Sequence, residues 1–226
     1  MPLATENPGG DTTRSLDLGC GLAPRLPNAQ VQVGLDTDRN LLRQSRQLYP
    51  SAYFVCGDGE RLPFSDGVFD AVISRVALPL MNLNAAIPEI SRVLKPGGRA
   101  MLNLHHFEFA WRDFLRRVRG GRPKAMIGGL WAIANGFIFH FFGRTLRLPF
   151  SRRFYDSFQT YSSMKRILHE QGFADPIVEA YVIEATKEEK PMDEFSICIR
   201  STMSRLPLCG TEATVPHDDI LLKKPG

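Results

Sequence analysis

The chain alternates short apolar runs with stretches of helical period. Ser15–Leu18 is a buried-type strand ending at the Gly19-Cys20-Gly21 turn, and Val31–Leu35 is a second, capped by Asp36. From Asp38 to Pro50 a capping residue opens and a proline closes a helix, with Leu41, Leu42, Leu48 and Tyr49 on one face. Ala52–Cys56 is a short β-type run leading to Gly57-Asp58, and Arg61–Gly67 reads as a loop around Pro63 and Asp66-Gly67. Phe69–Ser74 is a buried strand. Asn84–Leu94 is a helix with Ile87, Ile90, Val93 and Leu94 inward, stopped by Pro96-Gly97-Gly98; Pro88 in it is tolerable only near the first turn. Arg99–His105 is the next strand, and Ser162–Gln171 a helix capped by Gly172. Ile177–Ala185 and Glu194–Arg200 read as two more strands, joined by the charged turn Lys187–Lys190. Strands alternating with helices predict an α/β fold with a parallel sheet and right-handed crossovers.

Candidate chemistry gathers at the first two strand ends. Ligands of open α/β sheets sit outside the carboxyl ends of the strands. Glycine lets the backbone approach a ligand closely, and the Asp36 carboxylate can accept two hydrogen bonds from a ribose diol. The pocket therefore reads as a nucleoside site. A dinucleotide fingerprint is a poor match, because the run from Gly19 is G-C-G-L-A-P with Pro24 in place of a third glycine. The segment between Gly21 and Val31 has room for about two helical turns and contains Pro24 and Pro27, so a helix that holds a pyrophosphate does not fit. Asp17 repels phosphate and suits an ammonium group. A ligand with an amine at one end and a ribose at the other fits S-adenosylmethionine better than NAD.

Asp17-Leu18-Gly19-Cys20-Gly21, Gly34-Leu35-Asp36, Gly57-Asp58, Phe69-Asp70 and Leu94-Lys95-Pro96-Gly97-Gly98 together resemble the class I S-adenosylmethionine-dependent methyltransferases, in particular their small-molecule branch. The resemblance covers residues 14–106 well and 160–201 in outline. It implies a doubly wound Rossmann-like sheet of seven strands, mostly parallel with an antiparallel last strand, and helices on both faces. It implies that Asp17 and Gly19, Cys20 and Gly21 border the methionine moiety. Asp36, followed by Thr37, meets the ribose, and Asp58 meets the adenine amino group with Gly59 beside it. Ser74 and Arg75 fall near the methyl-transfer path. Taken on its own chemistry, Cys20 reads as packing, and Asp66 and Asp70 as residues that shape the loop before Phe69.

Composition narrows the class. With 226 residues and 43% hydrophobic content, the chain suits one folded domain. Cys20, Cys56, Cys198 and Cys209 form no C-x-x-C pair, and no secretory signal is apparent, which reads as reduced thiols in a cytoplasmic protein. No spacing suggests a metal site; His105 and His106 are adjacent and point to opposite sides of a strand. Residues 1–13 read as a flexible segment, 14–201 as the domain, and 202–226 as a partly disordered tail.

Residues 107–160 exceed an ordinary connection. Trp111, Phe114, Leu115 and Val118 mark an amphipathic helix with a basic face. Met126–Phe142 is 17 residues without formal charge, interrupted by Asn135, His140 and three glycines, and reads as a buried or substrate-facing helix rather than a membrane span. Members of the family usually carry helices before the first strand that close over the cofactor. Here 107–160 is the candidate cover, as an insertion that builds an apolar acceptor chamber; plain packing on the sheet and peripheral membrane contact through 111–142 are its alternatives. A homodimer is another source of the lid. Arg152–Tyr161 is aromatic and polar, and can place Tyr155 or Tyr161 at the pocket rim.

A sulfonium methyl is already activated, so alignment carries most of the reaction and a base is needed only where the acceptor loses a proton. His105 is the first candidate base; His106 and Tyr161 follow. Arg75 can hold an acidic acceptor or pair with a carboxylate. The reading is thus a methyltransferase that transfers the methyl by in-line displacement to a small, apolar or aromatic or lipid-like acceptor. A nucleic-acid methyltransferase is the alternative that pI 9.0 invites, but the net charge is only +4, and Ser74-Arg-Val-Ala-Leu-Pro79 lacks the motif of many amino-directed ones. A non-catalytic S-adenosylmethionine-binding protein is the third.

Overall fold

The computed structural model describes residues 13–22, 29–75, 77–121, 123–148, 155–174, 177–181 and 196–202. The expected N-terminal segment (up to residue 12), the charged turn 187–190 and the tail beyond 202 lie outside these residues.

Five strands form a parallel sheet in the order β3–β2–β1–β4–β5: β1 (Arg14–Leu18), β2 (Val31–Asp36), β3 (Tyr53–Cys56), β4 (Phe69–Arg75) and β5 (Leu94–His105). Leu16 stands opposite Val33 on one side and Val72 on the other. All three are fully buried, as a parallel strand covered on both faces requires. The chain runs outward from β1 to β3 and then returns to place β4 against the other side of β1. The order thus reverses beside β1, and a crevice opens at the carboxyl ends of β1 and β4. β6 (Ile177–Tyr181) and β7 (Ser196–Thr202) follow later in the chain.

The first helix, α1 (Arg39–Leu48), starts where expected, with Asp38 accepting from the N–H groups of Asn40 and Leu41. Its buried side differs from the expected one. Leu42 and Ser45 point inward, while Leu48 and Tyr49 are exposed. The reason is polar: the Ser45 hydroxyl lies 3.1 and 3.0 Å from the carbonyls of Gly21 and Leu22, so α1 docks by gripping the glycine turn.

A 3-10 turn, Leu78–Leu80, leads into α2 (Leu83–Val93), capped by Asn82. Ile87, Ile90 and Val93 enter the main core as expected. Pro88 sits in the second turn of α2, deeper than the expectation allowed, and the helix continues through it.

Two antiparallel helices follow, α3 (Phe107–Arg119) and α4 (Pro123–Phe142). His106 is not on a strand; it caps α3, its Nδ1 3.4 Å from the Glu108 N–H. By length and composition alone α4 is apolar enough to cross a membrane. Polar ties hold it to the protein: His140 Nδ1 lies 2.8 Å from Thr160 Oγ1, and Asn135 anchors its inner side. Asn135 is fully buried, its Oδ1 accepts from the Leu146 N–H at 2.7 Å, and its Nδ2 reaches the carbonyls of Leu146, Tyr155 and Asp156. The sequence shows only a lone Asn in an apolar run. The fold makes it the tie that fixes residues 155 and 156.

Beside it, Gly136 faces Phe158. A Cβ there would stand 2.1 Å from Phe158 Cδ1. In a free helix, alanine is favoured over glycine by about 1 kcal/mol. Gly136→Ala is nevertheless expected to destabilise the protein by roughly 1–3 kcal/mol, because the ring must be displaced from a packed site. Urea unfolding measures the sign, and a gain in stability would show that Phe158 does not lodge there. The last helix, α5 (Tyr161–Glu170), begins with a capping box between Thr160 and Ser163 and sends Met164, Ile167 and Leu168 into the core.

Candidate active site

Gly19 and Gly21 adopt positive φ (74° and 57°), which turns the chain sharply at the end of β1. The N–H groups of Gly19 and Cys20 both donate to the Leu35 carbonyl, at 2.8 and 3.0 Å. The Gly21 N–H donates to Asp36 Oδ2 at 2.9 Å, and the Asp38 N–H to Asp36 Oδ1 at 2.9 Å. Asp36 thus ties the turn to β2. Each of its oxygens retains a further lone pair for a ligand hydroxyl. At Gly19 a Cβ would also lie 2.3 Å from Ala77 Cβ, so the position excludes side chains on two grounds.

A cavity of about 670 Å³ opens beside this turn. Of the expected residues, Gly19, Asp36, Thr37, Asp58, Gly59 and Arg75 line it. Asp58 is exposed and accepts from the Glu60 N–H at 3.0 Å, while Gly59 is buried with Met81 and Leu18 packed against its missing side chain. Sequence reasoning missed Glu60, Ala77, Leu80, Met81 and Arg147 in this lining. They come from the loops after β3 and β4 and from beyond α4, where no local pattern marks them. Tyr155, named as one of two rim candidates, lines the cavity.

Four expected cofactor residues stand behind the lining instead. Asp17 is fully buried, and its Oδ2 lies 3.2 Å from Arg75 Nη2. The carboxylate expected to await a ligand ammonium is already engaged by a guanidinium, because β1 and β4 are neighbours in the sheet. Of the two readings of Arg75, pairing with a carboxylate is the observed one, and the partner is Asp17 rather than Asp70. Asp70 pairs with Lys95 at 3.0 Å, and Asp66 with Arg92 at 2.7 Å. The buried Ser74 hydroxyl donates to the Leu18 carbonyl at 3.2 Å, bracing the same two strands. Gly21 acts through its bond to Asp36. Cys20 is buried; desolvation, with Asp17 and Asp36 adding to it, pushes its thiol up to about 12, so it packs as a neutral group.

A second cavity, of about 190 Å³, lies across Leu80, which lines both. Its walls include His105, Phe109, Ala110, Ala132 and Asp156. The His105 ring packs on Phe109 with centroids 4.3 Å apart. Its Nδ1 is 4.0 Å from Asp156 Oδ1, too long for a hydrogen bond, and its buried Nε2 has no hydrogen-bond partner among the described residues. Burial lowers the imidazole to about 4 against an opposing pull from Asp113. Burial also raises Asp156 to about 6, against Arg117. Near neutral pH the pair is therefore a neutral base beside a carboxylate. Tyr161, the other expected catalytic residue, is exposed on the first turn of α5 and lines neither cavity.

The raised Asp156 has a consequence for stability. The folded protein binds this proton more tightly than the unfolded chain, whose carboxyl titrates near 3.8. The contribution is therefore complete below pH 3.8 and lost as pH rises through about 6. Asp156→Asn is expected to gain roughly 1–3 kcal/mol over the parent at about pH 8, with the gain shrinking toward pH 4. Urea midpoints at the two pH values read it; an equal difference at both would refute the titration.

Residues 16–102 match the family model described as "Methyltransferase domain". The malonyl-[acyl-carrier protein] O-methyltransferase of Herminiimonas arsenicoxydans is 35% identical over 130 residues, covering 52% of this chain and 49% of that protein. The demethylmenaquinone methyltransferase of Streptomyces griseus is 35% identical over 92 residues, 38% of this chain and 40% of that one. The chain thus spans half or less of the length of these curated relatives. Among solved structures, a methyltransferase of Methanosarcina mazei superposes with a TM-score of 0.54 at 18% identity, covering 85% of this chain and 92% of the other. The CurJ carbon methyltransferase reaches a TM-score of 0.59 at 16% identity, covering 88% and 50%. These solved structures share the fold. With the glycine turn, the acidic end of β2 and the matched model in agreement, residues 16–102 carry a methyltransferase domain similar to those of the class I S-adenosylmethionine-dependent methyltransferases.

Proposed function

We propose that this protein transfers a methyl group from S-adenosylmethionine to a small, apolar or aromatic acceptor seated against His105. The observation that carries this reading is the pair of cavities that meet at Leu80, one lined by the glycine turn and carboxylates, the other by a neutral imidazole whose buried Nε2 has no hydrogen-bond partner among the described residues. The larger cavity suits the cofactor chemically. Asp36, Asp58 and Glu60 are acceptors for ribose hydroxyls and an adenine amino group, and Arg147 suits a carboxylate. Its volume falls in the ordinary range of about 300–1,000 Å³ for ligand pockets.

When bound, S-adenosylmethionine supplies a methyl group activated by its sulfonium. The chain's residues align the acceptor and manage its proton. His105 Nε2 accepts a proton from an acceptor hydroxyl, and the Asp156 carboxylate on the Nδ1 side gives the resulting imidazolium a counter-charge. A cavity near 190 Å³ is close to the ~150 Å³ that accommodates benzene, so the acceptor presents a single ring or a short branched group. The relatives named for malonyl-[acyl-carrier protein] and demethylmenaquinone support small acceptors without selecting one.

Two further readings complete the proposal. The sheet finishes as seven strands with an antiparallel last strand, supported by antiparallel backbone pairing of β7 with both β5 and β6. Action in the cytoplasm is supported by Cys20 and Cys56, both free thiols. Calorimetric titration with S-adenosylmethionine, S-adenosylhomocysteine and NAD tests the cofactor, and S-adenosylhomocysteine release over a panel of single-ring phenols tests the acceptor class. Binding of NAD without binding of the sulfur nucleosides would overturn the reading.

A further inference from the structure

The α3–α4 hairpin has two apolar sides, and only one is needed for packing. Its inner side meets the core through Ala110, Ile133 and Phe139. On its outer side Trp111 is 45% exposed, Leu130 58% and Phe141 66%. Along α4, Ile127, Leu130, Ala134, Phe137 and Phe141 recur at helical spacing, and all five are exposed. The rings form a continuous ridge: Trp111 stacks on Phe107 (6.4 Å), Phe107 meets Phe137 (5.9 Å), and Phe137 stacks on Phe141 (6.4 Å). An exposed apolar patch of this extent marks an interaction surface.

Charge selects the partner. Residues 107–147 carry eight Lys and Arg against Glu108 and Asp113, while the whole chain carries 28 against 24. The excess of six in this segment is larger than the chain's +4, so the remainder of the chain is net acidic. Arg112, Arg116, Arg119, Lys124 and Arg144 are exposed around the ridge. Exposed aromatic and aliphatic side chains bordered by cations match a bilayer interface with anionic headgroups. They do not match a second copy of the same face, which would bring two cationic rims together. The buried Asn135, bonded to Leu146 and to the adjoining Tyr155 and Asp156, keeps the inner side of α4 on the protein, so the helix can lie on a bilayer but not cross it without unfolding these ties.

We propose that the outer face of the α3–α4 hairpin docks on an anionic lipid surface, with Trp111, Leu130, Phe137 and Phe141 entering the headgroup region. The inference does not depend on the methyl-transfer reading, and its test reads no activity. The full chain is sedimented with vesicles of phosphatidylcholine alone and of phosphatidylcholine with phosphatidylglycerol, at low and high salt. Binding is expected to the anionic vesicles only, weakening with salt. The emission of Trp111 shifts to the blue on binding, a shift absent in Trp111→Phe, which retains Trp131. Arg119→Ala and Lys124→Ala are each expected to weaken binding about fivefold, from ~1 kcal/mol per basic residue at an anionic surface. Leu130→Ser and Phe141→Ser, both outside the core, weaken it at least as much while leaving the thermal melt unchanged. No binding, or equal binding to neutral vesicles, overturns the proposal. So does a dimer by light scattering that Phe141→Ser dissolves, which would assign the face to a second copy.

Discussion

Replacing Asp36 with alanine is expected to weaken S-adenosylmethionine binding by about a hundredfold or more. Net hydrogen bonds to a charged group contribute roughly 1.5–3 kcal/mol each, and a ribose diol makes two. The variant also removes the acceptor for the Gly21 and Asp38 N–H groups, which loosens the turn that borders the same cavity. Asp36→Asn grades the effect. It keeps one carbonyl acceptor, for either the Gly21 or the Asp38 N–H, and sets an amide donor against the other, so its binding and its melting temperature should both fall between parent and alanine. Calorimetry with S-adenosylhomocysteine reads the loss directly. Unchanged affinity in Asp36→Ala would remove Asp36 from the ribose site.

The second large effect concerns the proton. His105→Ala is expected to lower turnover about 10²–10⁴-fold, the usual range for a positioned general base, with cofactor affinity unchanged because His105 lines only the smaller cavity. The pH profile carries the more specific signature. His105 at about 4 is already neutral well below neutrality, so its own titration does not set the acid limb. Asp156 ionises at about 6, and the carboxylate then favours an imidazolium 4.0 Å away. Activity should therefore rise as pH increases through about 6, and Asp156→Asn should flatten that rise while lowering the plateau. An acid limb that persists unchanged in Asp156→Asn would place the titration elsewhere. Since the same variant is expected to gain stability above pH 6, function and stability pull in opposite directions at this one buried carboxyl.

Different residues were legible to different degrees. The glycine turn and Asp36 could be read because their chemistry is local: a positive φ and a carboxylate at a strand end need few distant partners. His105 could be read as a candidate from its place at the end of a strand. Asp17 was legible in position but not in role, since its partner Arg75 lies 58 residues away on a neighbouring strand. Tyr161 is a rim candidate from the aromatic and polar run Arg152–Tyr161, yet the cap at Thr160 starts a helix whose first turn carries the ring outward. Ser45 and Asn135 carried no motif. Their value comes from carbonyls that other segments bring to them.

What the sequence by itself determined is the alternation of elements, the parallel sheet and the nucleoside-type turn, because these rest on periodicity, capping and the conformational freedom of glycine. What only the tertiary structure decided is which side of each element meets a partner. The reversal of strand order beside β1 puts Arg75 on Asp17, and Asn135 draws 155–156 toward His105. The same packing turns Leu130, Phe137 and Phe141 outward on a helix whose apolar residues surround it on every side. Periodicity specifies a face only when the opposite face is polar, and along α4 it is not.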